Sequence, residues 1–118
     1  MRTLITVFWL FLAALAATPA QAHAHLDHAS PAVDSTVANA PQHVALWFTQ
    51  KLEPAFSSVE VTDASGARVD QGNAQISGNT MQIGLKTLAP GTYRVHWHAL
   101  SVDTHTTEGS FTFHVGGP

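Results

Sequence analysis

Between residues 43 and 115 the apolar side chains return at every second position, in short runs divided by glycine, proline, serine and asparagine. Val44, Leu46 and Phe48 alternate with His43, Ala45, Trp47 and Thr49, and Val59 and Val61 alternate with Ser58, Glu60 and Thr62. Met81, Ile83 and Leu85 follow a Ser77-Gly78-Asn79 turn; Tyr93, Val95, Trp97 and Ala99 follow Ala89-Pro90-Gly91; Phe111, Phe113 and Val115 close the series. Successive side chains of a strand point to opposite faces, so each run has one face to bury and one to leave wet. An opening strand near 24–29 and a weak one near 68–76 bring the number to about seven, and no segment shows a helical period. The pattern predicts an all-β fold, a Greek-key β-sandwich or barrel of immunoglobulin-like type. Leu88-x-Pro90-Gly91-x-Tyr93-x-Val95 has the form of a tyrosine corner, in which a phenol ties a loop back to the body. Segments 30–41 and 101–109 do not alternate and read as loops.

The first 22 residues have a different character. Arg2 precedes an apolar run over 4–17, Pro19 interrupts it, and Ala20-Gln21-Ala22 has the small-x-small form of a secretory cleavage site. The run is short of the roughly 20 apolar residues that span a bilayer. Residues 1–22 are therefore expected to be a cleaved signal peptide and 23–118 a single exported, periplasmic domain, not embedded in the membrane. The mature chain of 96 residues has a modest core.

All eight histidines lie in that mature part, with four Lys/Arg against eight Asp/Glu, so its formal charge is −4 with neutral histidine. A nucleic-acid partner does not suit such a surface. Cysteine is absent, so the fold rests on packing without disulfides, and no thiolate binds a metal. Histidine, the commonest metal-binding side chain, is the enriched polar residue.

Cleavage after Ala22 makes His23 the first mature residue. A terminal histidine brings its free α-amine and its imidazole Nδ1 to one ion, a chelate no internal histidine can form. Ser101-Val102-Asp103-Thr104-His105 supplies a complementary pair, since residues i and i+2 of an extended segment face one side about 7 Å apart. His23, Asp103 and His105 together offer three nitrogens and one oxygen. Tetragonal N/O sets suit Cu(II), which stands at the top of the divalent affinity order, and an α-amine deprotonates for a metal near neutral pH. One Cu(II) per chain is the expected cofactor. Cu(I) prefers sulfur, and Met81 is the single mature methionine, set on an apolar strand face.

Across the mature chain these residues resemble the periplasmic copper-resistance family of CopC and PcoC. The resemblance is carried by His23-Ala24-His25-Leu26, Ser30-Pro31-Ala32, Leu46-Trp47-Phe48-Thr49, the run 88–97, Ser101-Val102-Asp103-Thr104-His105 and Gly109-Ser110-Phe111-Thr112-Phe113. It implies a cupredoxin-like or immunoglobulin-like Greek-key barrel, Cu(II) bound by His23, Asp103 and His105, and two partners: an inner-membrane copper importer of the CopD type and a periplasmic multicopper oxidase. Two departures follow from the same likeness. A methionine-rich Cu(I) loop found in some members is missing, and Gln50 stands where some carry glutamate.

Three other histidines, His25, His96 and His98, are candidate accessory ligands. His25, third in the mature chain, can bind copper with the terminal amine and two deprotonated backbone amides if the terminus frays. His96 and His98 lie opposite Val95 and Trp97, on a wet face where they form either a weak second site or a solvated surface. His28, His43 and His114 read as surface residues, and Trp47 and Trp97 as packing residues. A carrier or buffer without enzymatic activity fits best. The alternatives are a small histidine-brace copper oxidase or monooxygenase, and an exported interaction module with incidental histidines.

Overall fold

The computed structural model describes residues 24–116. Eight strands run in chain order as β1 (Leu26–Ser30), β2 (Thr36–Val37), β3 (His43–Phe48), β4 (Ser58–Thr62), β5 (Gln75–Ser77), β6 (Thr80–Gly84), β7 (Gly91–Leu100) and β8 (Thr106–Val115), with one 3-10 turn at Pro54–Phe56. They form two four-stranded sheets, β1-β3-β6-β5 and β2-β8-β7-β4. All pairings are antiparallel except β2 with β8, which is parallel. The sheets do not close on each other, so the architecture is a sandwich and not a barrel.

The alternation of the sequence becomes the packing. Val44, Leu46, Phe48, Met81 and Ile83 of one sheet meet Val59, Val61, Val95, Trp97, Phe111 and Phe113 of the other, all buried. Each such aliphatic or aromatic side chain contributes about 1.5–3 kcal/mol when withdrawn from water. Phe48 and Trp97 meet edge to face across the sheets, their ring centroids 5.1 Å apart. Met81 is fully buried, a core residue.

The structure departs from the sequence reading in four places. β1 begins at Leu26, two residues later than the alternation suggests. The weak strand near 68–76 is reduced to β5 and to isolated bridges at Arg68 and Asp70. The loop over 30–41 contains the two-residue β2. Most substantially, half of the presumed 101–109 loop is strand: β8 starts at Thr106, and Leu100 pairs with Thr106 across the hairpin. Thr107 and Gly109 occupy inward positions there without apolar bulk. A Cβ on Gly109 would lie 2.6 Å from a Trp97 ring carbon; the indole fills the space that a side chain would otherwise take.

The tyrosine corner is present. Tyr93, buried and stacked near Phe113, donates its hydroxyl hydrogen to the Ala89 carbonyl at 2.5 Å. Replacing Tyr93 with phenylalanine leaves that carbonyl without its partner. Chemical denaturation is expected to show a loss of about 1–2 kcal/mol with an unchanged m-value, and an unaltered midpoint would reject the tie.

Candidate metal centre

Five residues, 101–105, connect β7 to β8. Ser101 is 1% exposed and bridges to Leu52. Its N–H donates to the His105 carbonyl at 3.0 Å, and Thr104 N–H donates back to the Ser101 carbonyl at 2.9 Å. Thr104 has φ +74°, a left-handed conformation uncommon for a β-branched residue. The turn therefore replaces the extended segment that the i, i+2 spacing suggests. In it Asp103 Oδ1 lies 3.4 Å from His105 Nδ1. Two ligands about 2.0–2.1 Å from a shared ion, at a tetrahedral angle, lie about 3.4 Å apart. At the right angle of a tetragonal set the same two ligands lie about 2.9 Å apart, so a Cu(II) ion would draw these atoms together by roughly 0.5 Å.

The buried Ser101 hydroxyl hydrogen-bonds Asp103 Oδ1 at very short range and also reaches the His105 carbonyl at 3.2 Å. This hydroxyl is the main reason that the Asp103 carboxyl is held below the usual carboxylate range; slight desolvation opposes it, and His105 adds to it. Asp103 is an anion at neutral pH. Both side chains keep access to solvent, at 39% for Asp103 and 50% for His105.

Two other segments converge on this turn. The Lys51 carbonyl accepts Val102 N–H at 3.1 Å, and Glu53 N–H donates to the Leu100 carbonyl at 2.8 Å. Thr49 is bound to His25 twice, its N–H to the His25 carbonyl and the His25 N–H to its Oγ1, each at 2.9 Å. The Ala24 carbonyl accepts the Thr107 hydroxyl at 2.6 Å. The start of the described chain is therefore fastened to β8 two residues beyond His105. Gln50 lies between Thr49 and Lys51, on the segment that links the two anchor points.

Of the expected ligands, the structure brings Asp103 and His105 together; His23 lies outside the described residues. Among the described residues, no three His, Asp or Glu side chains gather closely enough to hold an ion. His25 is exposed at the side of this region, with its backbone committed to Thr49. His96 and His98 are elsewhere, on the outer face of β7. His43 and His114 are exposed as expected, while exposed His28 lies flat on Trp47, ring centroids 4.4 Å apart. Trp97 is core, and Trp47 is half-covered by His28. Sequence reasoning missed Ser101 and Thr104. Their signal was only the polar composition of the loop, since a buried hydroxyl and a positive φ leave no mark in periodicity.

A depression of about 400 Å³ lined by residues that include His43, Gln71 and Leu88 lies away from this turn. It offers amides, apolar groups and Lys86, with a single histidine, His43.

Residues 26–116 match the family model described as the CopC domain. The chain belongs to the CopC family. Among curated relatives, Protein YobA of Escherichia coli (strain K12) is 38% identical over 98 residues, covering 80% of this chain and 79% of its own. Copper resistance protein C of Xanthomonas campestris pv. juglandis is 33% identical over 123 residues, covering 97% and 96%. Two crystal structures superpose well. CopC from Methylosinus trichosporium OB3b does so with TM-score 0.71 and 35% identity, over 80% of this chain and 95% of that one. PcoC, a methionine-rich copper resistance protein from Escherichia coli, does so with TM-score 0.70 and 36% identity, over 80% and 99%. The family is one of copper resistance and copper transport proteins. This CopC chain keeps the all-β sandwich of its relatives while having one methionine, Met81, beyond residue 22.

Proposed function

We propose that removal of residues 1–22 exposes His23 as an N-terminal ligand, and that the mature periplasmic domain binds one Cu(II) through the His23 α-amine and imidazole, the His105 imidazole and the Asp103 carboxylate. The observation that carries this reading is the Thr107–Ala24 hydrogen bond. It fastens Ala24, the residue after His23, to β8 two residues beyond His105, which supports a terminal ligand for the Asp103–His105 pair. The competing terminal site, with His25 and two backbone amides, requires breaking the His25–Thr49 bond.

The ligand set supports a carrier or buffer. Nitrogen and carboxylate donors hold Cu(II) well and Cu(I) poorly, so capture in the oxidised state and release on reduction follow from the same atoms. A charged carboxylate in the shell stabilises the higher oxidation state and opposes the cycling that a monooxygenase needs. The family resemblance supports an inner-membrane importer of the CopD type and a periplasmic multicopper oxidase as receiving partners. No helix among the described residues is long and apolar enough to cross a membrane.

The test is a Cu(II) titration of protein beginning at His23, followed by electron paramagnetic resonance, beside a form carrying one extra glycine before His23. One tight equivalent with a nitrogen-rich tetragonal spectrum is expected, and the extension should abolish that spectrum. Identical spectra from both forms would move the site to internal residues.

A further inference from the structure

The outer face of the β4-β7-β8 sheet carries a second constellation of ligands. His96 Nε2 and Glu108 Oε2 are 3.4 Å apart, the same ligand-to-ligand spacing found at Asp103 and His105. His98 is the direct cross-strand partner of Glu108, and it stands two residues from His96, on the same side of β7. Directly opposed residues have Cβ atoms about 4.5–5.5 Å apart, so a rotation of the exposed His98 side chain brings its ring to the ion that His96 and Glu108 would share. His96 and His98 line a depression of about 400 Å³ together with Ser58, Glu60 and Arg68.

The charges around it favour a cation. Two guanidiniums flank it: Arg68 is engaged by Asp70 at 2.8 Å and by Glu60 at 3.3 Å, and Arg94, two residues from His96 on the same side of β7, donates to the Ser110 hydroxyl at 3.0 Å. Glu60, Asp70 and Glu108, the last on the far side of His96, outnumber these two positive charges by one. The inward neighbours Val95, Trp97 and Phe111 are buried core, which fixes the backbone from which the ligands project.

We infer that His96, His98 and Glu108 form a second metal seat, distinct from the Asp103–His105 turn, that takes a borderline divalent ion, Cu(II) or Zn(II). Two imidazoles and one carboxylate are a common set for either ion, with the remaining positions open to water. Glu108, in β8, is three residues beyond His105 of the turn, about 10 Å at the rise of an extended chain. One hairpin would then present two stations, the outer one weaker because His98 must move to complete it.

The inference does not depend on His23, and its test separates the two. Protein beginning at His23 and carrying Asp103→Ala and His105→Ala is titrated with Cu(II) and, separately, with Zn(II) by calorimetry. One residual weak equivalent is expected for each ion. Adding His96→Gln and His98→Gln should weaken it at least tenfold with no change in the unfolding midpoint of the metal-free protein. In the unsubstituted protein, Zn(II) should shift the His96 and His98 imidazole resonances in NMR spectra. Residual binding that survives His96→Gln and His98→Gln but disappears with His25→Gln would overturn the seat, as would imidazole resonances indifferent to Zn(II). Unchanged tight Cu(II) binding after Asp103→Ala and His105→Ala would refute the first site and leave this measurement intact.

Discussion

Replacing Asp103 with alanine in protein beginning at His23 is expected to lower Cu(II) affinity by more than about a hundredfold, since even partners that only orient a ligand contribute about 10- to 100-fold. The substitution removes the one anionic donor. It also removes the acceptor that fixes the Ser101 hydroxyl, so the turn loses a tie between its first and third residues. Ser101→Ala separates these contributions. It keeps the carboxylate and deletes the hydroxyl that holds it, so a loss nearer tenfold is expected. Competition against a chromophoric chelator measures both, and circular dichroism checks that the sandwich persists. Affinity retained within threefold in Asp103→Ala would remove the carboxylate from the copper shell.

The pH dependence adds a second signature. The Ser101 hydroxyl keeps the Asp103 carboxyl below its ordinary range, so on acidification the carboxylate is the last of the proposed ligands to take up a proton. Nitrogen donors compete with protons at far higher pH than carboxylates do. Copper is therefore expected to leave in a step governed by imidazole and amine protonation, and Ser101→Ala should leave that step in place while reducing affinity across the whole range.

The parts of this molecule that were legible in the sequence are those where burial alternates. β3, β4 and β7 can be read from Val44-x-Leu46-x-Phe48, Val59-x-Val61 and Tyr93-x-Val95-x-Trp97 because each inward position carries its own apolar group. β8 could be read only in its second half. At Gly109 the volume needed inside the sheet is supplied by Trp97 from the neighbouring strand, so a strand position looks like a loop residue. β2 has only two residues, too few for any period, and its parallel pairing with β8 depends on a contact almost eighty residues away. Asp103 and His105 were legible as candidate ligands by residue type and spacing. Their actual approach was not, because it depends on the left-handed Thr104 and on the buried Ser101.

Asp70 illustrates the same limit and gives the largest expected effect on stability. In the sequence it is one polar residue in a weakly patterned stretch. In the fold it is 4% exposed, and its carboxylate accepts four hydrogen bonds: from Val61 N–H at 2.8 Å, Gly72 N–H at 2.9 Å, and Arg68 Nε and Nη2 at 3.0 and 2.8 Å. It joins the end of β4 to the irregular 68–72 segment, which also holds Gly84 and Lys86 through backbone bonds. Burial alone would raise its pKa. The Arg68 bonds and the two backbone N–H groups outweigh that, and the folded carboxyl sits below its ordinary value. Asp70→Asn keeps the shape but removes the charge, and its amide NH2 group must face N–H donors. Because Arg68 is half-exposed and can turn to water, the expected loss is about 2–3 kcal/mol, below the full figure for a broken buried pair. That corresponds to a fall in melting temperature of roughly 10–20 °C for a domain of this size. The sign of the pH effect follows from the depressed value. Stability contributed by the ionised Asp70 is fully present above the unfolded-state carboxyl pKa of about 3.9 and is lost as pH falls through the lower folded-state value. The native protein should therefore lose stability below about pH 4 more steeply than Asp70→Asn. Asp63 and Asp103, whose carboxyls are also depressed, give both proteins a shared, smaller acid loss. Parallel unfolding curves at pH 7 and pH 3 measure the difference, and an equal gap between the two proteins at both pH values would show that the charge of Asp70 does not hold this corner of the sandwich.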